Sequence, residues 1–211
     1  MRKVLFSVLG SGVIVLALGT GTSAVMATTG TTWTIKPGGT VTGTAGTITV
    51  TDTITGATAT CTSSSLGATL KSGTGKRNPF GKITAVAYNS CSALGFGESI
   101  TASASSTNPW LLRGGTYSSG VTHGSIGNVQ TSFSINSPLG ACTGIVAGTS
   151  ATTPGRIGVT YKNVNGSLIM GGGNLHAWNV TGQCLGDINT GDPITVVGTY
   201  ILSPRQTITS P

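Results

Sequence analysis

The chain has few charged side chains, which limits the chemistry it can perform. Only 7% of its 211 residues are charged, with 11 basic and 4 acidic residues, and there are 2 histidines. An active site needs an acid, a base or a nucleophile together with polar groups that position it, so this inventory leaves few candidates. The net charge of +7 is too dilute along the chain for the Lys/Arg density of a nucleic-acid binder. We therefore expect a non-enzymatic protein without a nucleic-acid partner.

Helical patterns are also missing. Beyond residue 27, no window of a dozen residues keeps apolar positions at helical spacing without a Gly or Pro that interrupts it. Short runs with period two predict strands instead, at 47–51, 83–88, 133–135, 157–161 and part of 195–200. Gly- and Pro-rich turns separate them, two of which we place at Arg113-Gly114-Gly115 and Gly171-Gly172-Gly173. About ten to twelve such strands predict an all-β, disulfide-stapled sandwich or partly closed barrel built from two sequence-related halves.

The N-terminus has the three-part pattern of an export signal. Arg2 and Lys3 precede an apolar run over residues 4–18, and small residues follow. We predict a signal peptide over residues 1–27, cleaved after Ala27 or alternatively after Ala24, and a single β domain over 28–211. The protein is then secreted or displayed at the cell surface; the alternative is an uncleaved N-terminal anchor.

The cysteine pattern favours disulfides over metal binding. No C-x-x-C pair occurs, and neither histidine lies at zinc-finger spacing, so we expect no metal and no cofactor. All four cysteines follow the predicted signal, and an even number in an exported chain predicts two disulfides.

An approximate internal repeat predicts which cysteines pair with each other. Two segments, at about 40–105 and 122–202, carry the same landmarks in the same order. In the first these are Cys61-Thr62, Gly67, 81–88, Cys91 and 98–101, and in the second Cys142-Thr143, Gly148, 155–161, Cys184 and 192–195. Because each pair then lies within one repeat, we predict Cys61–Cys91 and Cys142–Cys184. The halves form either one composite core, which we favour, or two small domains joined near residues 105–120.

Several motifs support a resemblance that covers the whole mature chain. They are Asn108-Pro109-Trp110, the run 174–180, Gly191-Asp192-Pro193 and the tail 203–208. In these the chain resembles small secreted actinobacterial proteins rich in Gly and Thr, a resemblance that implies no assigned activity. Over residues 57–112, the order Cys, Gly-x-Ile, Cys, Pro-Trp is similar to that of exported proteins described as activators of alkane oxidation. That likeness implies a surface role or a hydrophobic substrate, and it transfers no catalytic residue.

Large aromatics and one basic segment are the candidate binding residues. Trp110, beside Pro109 and a Gly-rich turn, could present an exposed ring that stacks on a sugar or enters lipid, the alternative being burial in the core. The candidate binding set is Trp110, Trp178, Tyr117, Lys76 and Arg77. It predicts a cell-wall polymer, a polysaccharide or a lipid surface as partner and leaves the oligomeric state open. The leading expectation is a secreted structural or adhesive binding module of the envelope or extracellular space.

Two alternatives remain. Glu98 and Asp192 hold equivalent repeat positions and could form a glycosidase-like pair. A small extracellular hydrolase would draw on Glu98, Asp187, Asp192 or His176. The second alternative is a carrier of an apolar small molecule, with a cavity between the halves.

Overall fold

The computed structural model describes residues 32–75 and 78–211. The predicted signal peptide, together with Lys76 and Arg77, lies outside the described residues. The described part contains no helix and confirms the all-β prediction, with 70% of the structure in strands. Its strands are β1 (Trp33–Lys36), β2 (Gly39–Ala45), β3 (Ile48–Asp52), β4 (Thr58–Leu70), β5 (Gly73–Gly75), β6 (Gly81–Ala93), β7 (Phe96–Ala102), β8 (Trp110–Ser118), β9 (Val121–Val129), β10 (Thr131–Ser137), β11 (Gly140–Ala147), β12 (Gly155–Lys162), β13 (Ser167–Gly173), β14 (Leu175–Gly182), β15 (Pro193–Ser203) and β16 (Thr207–Thr209).

Three long strands give the main sheet its shape. β4, β6 and β15 each change neighbours along their length, so the antiparallel pairings close on themselves twice. The first ring consists of β2, β4, β6, β8, β9, β12, β13 and β15. The second ring consists of β3, β4, β6, β7, β10, β11, β14 and β15. The sheet is therefore partly ring-like without forming a clear barrel.

A separate small sheet fills the first ring. It consists of β1, β5 and β16, with β1 in the middle, and we call it the plug. Its residues Trp33, Ile35 and Ile208 are almost fully buried. Trp33 lies against the inner face of β8, where a Cβ on Gly114 would come within 2.2 Å of the indole ring. Gln206 is buried and joins the plug to the first ring, because its backbone carbonyl accepts a 2.7 Å hydrogen bond from the Tyr161 hydroxyl. The first ring therefore has a packed interior.

Both disulfides have the predicted pairing. Cys61 and Cys91 are directly opposite on β4 and β6, and Cys142 at the start of β11 is bonded to Cys184 just beyond β14. The two bonds close loops with sequence separations of 30 and 42 residues. Because each closure lowers the conformational entropy of the unfolded chain, each disulfide stabilises the folded state by about 4 kcal/mol. Such bonds are consistent with an oxidising environment.

The two sequence halves do not form matching units. Gly81 and Cys91 of the first half share β6, whereas the corresponding Gly155 lies on β12 and Cys184 lies beyond β14. Each ring takes strands from both halves, so neither half forms a sheet of its own. The repeat therefore stays a prediction from the sequence.

Two of the predicted turns are wrong. Arg113-Gly114-Gly115 lies inside β8 and Gly171-Gly172-Gly173 inside β13, each beside a shift in strand register. An extra residue in one strand of a pair bends the strand without ending it. At Gly124 on the facing strand, a Cβ would lie 2.1 Å from the Arg113 carbonyl oxygen, so glycine here permits close approach of two backbones.

Candidate functional site

The second ring encloses an apolar cavity. Its volume is about 60 Å³. Both sequence halves contribute to its wall. The apolar lining includes Val50, Ala59, Ala93, Leu94, Ile100, Val129, Phe133, Val146, Ile157, Leu175, Ile188, Ile194 and Val196. The cavity is thus narrow and suits a thin apolar group.

Glu98 brings a carboxyl group to this apolar wall. It lies in the middle of β7 on the same face as Phe96 and Ile100, opposite Ile135 on one side and Cys91 on the other. Its Oε2 is buried and has no hydrogen-bond partner among the described residues. Burial raises the pKa of the Glu98 carboxyl from 4.5 to about 7, because an apolar environment disfavours the charged form. The group can therefore donate a hydrogen bond when protonated and accept one, or pair with a cation, when ionised.

Asp52 borders the same cavity. It ends β3 and is only 3% exposed. Its Oδ1 accepts hydrogen bonds from the backbone N–H groups of Ile54 (2.9 Å) and Thr55 (3.1 Å), which shapes the turn between β3 and β4. Its Oδ2 is buried without a partner among the described residues. One carboxylate oxygen of Asp52 is therefore structural.

The sequence analysis missed Asp52 as a site residue, although it carries a signal. Ile48 is buried, Val50 lines the cavity and Asp52 follows at the same spacing of two residues. A carboxylate at the inward position of a strand is uncommon unless it is paired or functional. Glu98 is likewise a carboxylate at an inward position of its strand, between Phe96 and Ile100.

Tyr88 adds a phenol to the cavity wall. Burial, and to a lesser extent the neighbouring Tyr200, raise the pKa of the Tyr88 hydroxyl well above its usual range. The Tyr200 hydroxyl is hydrogen-bonded to the Ser64 hydroxyl at 2.6 Å. Tyr88 is therefore uncharged at any ordinary pH and contributes a neutral polar atom.

Apolar loop tips gather at one end of the second ring. The strand register places the β3–β4, β6–β7 and β10–β11 loops at this end, and the segment between β14 and β15 folds across it. The Thr55 hydroxyl donates a 2.6 Å hydrogen bond to the Asp187 carbonyl and ties two of these loops together. Ile54, Leu139 and Leu185 are 69%, 68% and 59% exposed here. Because Leu94 and Ile188 from the same loops line the cavity, this end forms its mouth.

Trp110 is not the exposed binding ring that the sequence analysis considered. It is 3% exposed, and its indole N–H donates a 3.0 Å hydrogen bond to the Ser103 hydroxyl. Trp110 begins β8 and pairs with Ile83 of β6, so its ring belongs to the core, which was the stated alternative.

Among the described residues, the other predicted binding residues are Trp178 and Tyr117, and both are half-buried. Trp178 on β14 is half-buried, with its indole N–H donating to the Gly148 carbonyl at 2.9 Å and its ring 6.1 Å from that of His176. Tyr117 is half-buried on β8, opposite Thr122. Lys76 and Arg77 lie outside the described residues.

The candidate hydrolase residues are also dispersed. Glu98 lines the cavity, whereas Asp187, Asp192 and His176 do not. The Asp192 Oδ2 accepts hydrogen bonds from the backbone and the side chain of Asn189, both at 3.0 Å, and so stabilises a local turn. Glu98 and Asp192 therefore do not line a common cavity, whereas Asp52 lines the same cavity as Glu98.

Within residues 32–75 and 78–211, no cluster of three or more His, Cys, Asp or Glu side chains could hold a metal ion. The same part of the chain has no helix with the length and apolar character needed to cross a membrane.

The chain matches no protein-family model, no curated protein and no solved structure. The resemblance to secreted actinobacterial proteins therefore stays a prediction.

Proposed function

We propose that the protein is a secreted, non-enzymatic binding protein of the cell envelope or extracellular space that holds a small apolar molecule, or the apolar end of a larger one, in the second ring. The observation that carries this proposal is the cavity itself, which is lined mainly by aliphatic and aromatic side chains and is bordered by two carboxyl groups, half-buried Glu98 and buried Asp52. Ligand sites commonly combine an apolar lining with a few polar groups that orient the ligand. The predicted export signal and the two disulfides support an extracellular location.

The alternatives fit the site less well. A surface module that relies on aromatic stacking loses its main residue, because Trp110 is buried. A glycosidase would need a polar groove for the hydroxyl groups of a sugar and two free carboxylates. The wall around Glu98 is apolar, and one Asp52 oxygen is already bound to backbone N–H groups.

The size of the cavity limits its occupant. An enclosed apolar cavity of about 150 Å³ holds a benzene molecule, and the cavity in the second ring, at about 60 Å³, is smaller. A flexible alkyl chain needs less width than a ring. We therefore expect a short chain to enter from the mouth, with any polar head remaining near the exposed loop tips.

Methyl-resolved NMR with a series of straight-chain alcohols from butanol to octanol tests this proposal. We expect saturable shifts at the methyl groups of Ile100, Val146 and Ile194 and none at Leu112 or Leu168, which line the small space in the first ring. Shifts spread evenly over both rings, or no saturation with any alcohol, would contradict the proposal.

Two matched substitutions strengthen the test. Val146 lines the cavity and Val159 lies in the first ring, and both are 9% exposed. Met is unbranched and adapts to irregular space, so Val146→Met should fill part of the cavity and weaken alcohol binding. Val159→Met should leave binding unchanged. Equal loss in both variants would point to a general effect on packing and not to a site in the second ring.

A further inference from the structure

The fold separates the charges that the sequence mixes. All four carboxylates belong to the second ring or to its loops: Asp52, Glu98, Asp187 and Asp192. The described cations all lie on strands of the first ring, on the plug or on their connections: Lys36, Lys71, Lys82, Arg113, Arg156, Lys162 and Arg205. The molecule is therefore strongly polar along its length, although charge is dilute in the sequence.

The separation is large compared with the range of electrostatic screening. β4 runs from Thr58, near the mouth of the second ring, to Leu70, next to Lys71 at the other end. At about 3.3 Å per residue, this strand spans up to about 40 Å. The Debye length at physiological ionic strength is about 8 Å. The carboxylates consequently do little to neutralise the basic end.

Five of the cations follow one another around the end of the first ring, and we call them the basic arc: Lys162, Arg205, Lys36, Lys71 and Arg113. Their order follows from contacts between the segments that carry them. The Arg205 guanidinium donates a 2.9 Å hydrogen bond to the Val164 carbonyl, in the turn after Lys162. Lys36 pairs with Thr207, two residues beyond Arg205.

The same contacts continue along the other half of the arc. The Ser72 hydroxyl donates to the carbonyl of Pro37, which brings Lys71 next to Lys36. The Lys71 ammonium donates to the Pro79 carbonyl at 2.8 Å, and the Asn78 amide donates to the Gly114 carbonyl at 2.9 Å, beside Arg113. The Arg205 and Lys71 side chains therefore donate to neutral carbonyls in these contacts and not to carboxylates.

We propose that the basic arc is a docking surface for a linear polyanion, such as a phosphate-rich polymer outside the cell. A row of cations without intervening carboxylates matches a chain of regularly spaced negative charges. A membrane fits the arc less well, because stable attachment to lipid combines basic charge with inserted apolar side chains. Near the arc, Val164 and Ile201 are exposed large hydrophobic residues on separate segments, whereas Ile54, Leu139 and Leu185 gather at the opposite end. The proposal does not depend on the cavity or its ligand.

Binding of the mature protein to long-chain inorganic polyphosphate, measured by isothermal titration at several salt concentrations, tests the inference. Each phosphate contact on a single-stranded polyanion contributes about 0.7 to the slope of log K against log salt. Five contacts predict a slope of about −3.5. Vesicles containing phosphatidylglycerol serve as the lipid probe. Absence of saturable polyphosphate binding, or binding to the vesicles alone, would overturn the proposal.

Two single variants that remove the same charge separate the arc from net charge. Lys36→Gln removes a cation of the arc, and Arg156→Gln removes one outside it, on β12. The first variant should reduce the salt slope by about 0.7 and weaken binding about threefold at low salt, while the second should change both much less. Thermal unfolding shows that each variant is folded. An equal loss in the two folded variants would mean that net charge alone drives binding, which contradicts a specific docking surface.

Discussion

Replacing Glu98 by Gln should change how the stability of the protein depends on pH. Burial raises the pKa of Glu98 from 4.5 to about 7 in the folded state, so the folded protein holds this proton more tightly than the unfolded chain does. The free energy of unfolding then falls as pH rises from about 4.5 to about 7, and is constant above that range. Glu98→Gln keeps the shape of the side chain and removes this loss.

The expected size follows from the shift. A change of about 2.5 pKa units corresponds to about 3.4 kcal/mol, and we reduce this to about 2 kcal/mol because the side chain is partly open to solvent. Relative to the unsubstituted protein, Glu98→Gln should therefore be more stable by about 2 kcal/mol at about pH 8 and show its smallest gain at about pH 4. Tyr88 shares the cavity, but burial raises the pKa of its hydroxyl, so it does not titrate in this range. The measurement is urea unfolding followed by tryptophan fluorescence, with disulfides intact.

Ser99→Ala is the control, because Ser99 is the next residue on β7 and points to the exposed face. Its effect on stability should be the same at every pH. A difference between Glu98→Gln and the unsubstituted protein that stays constant from about pH 4 to about pH 8 would refute the reasoning. A difference that shrinks as pH rises would refute it more strongly, since it requires a lowered pKa.

Two further predictions concern packing. Trp110→Ala should lower the free energy of unfolding by about 3 to 5 kcal/mol, because the ring is buried; a loss below about 1 kcal/mol in urea unfolding would contradict its place in the core. Gly114→Ala should be clearly destabilising because the new methyl group would meet the Trp33 ring, whereas Gly97→Ala, with open space around it, should lower the melting temperature little. Equal effects of the two glycine substitutions in thermal unfolding would argue against the tight contact between the plug and β8.

Local patterns in the sequence predicted many of the strands but not where they continue. The run 157–161 lies within β12, and 83–88 lies within the longer β6, because alternating β-branched residues favour extended backbone wherever one face is buried. Arg113-Gly114-Gly115 has the composition of a turn, yet β9 pairs with this segment on either side of a bulge. Glycine permits both a turn and close backbone approach, and only the neighbouring strand decides between them.

The candidate site was less predictable than the fold class. Glu98 was named from the repeat and paired with Asp192, whereas the cavity brings it together with Asp52. Glu98 and Asp52 both occupy inward positions on their strands, and the alternation of apolar and polar residues along each strand shows this in the sequence. Their convergence depends on β3 pairing with β15 and on β7 pairing with β10, and alternation says nothing about which strands become neighbours.

The sequence by itself determined the all-β class, the positions of many of the strands and the expectation of two disulfides, because these depend on residue periodicity and on an even number of cysteines in a chain predicted to be exported. It also predicted the cysteine pairing, but through a repeat that the strand arrangement does not reproduce. Only the tertiary structure decided that Trp110 is buried, that an apolar cavity surrounds Glu98 and that the cations of the basic arc lie away from the mouth of the cavity. These features arise when β3 pairs with β15, more than 140 residues away, as in the pair Asp52 and Ile194. Such contacts close the two rings, and the closure selects which side chains share an interior.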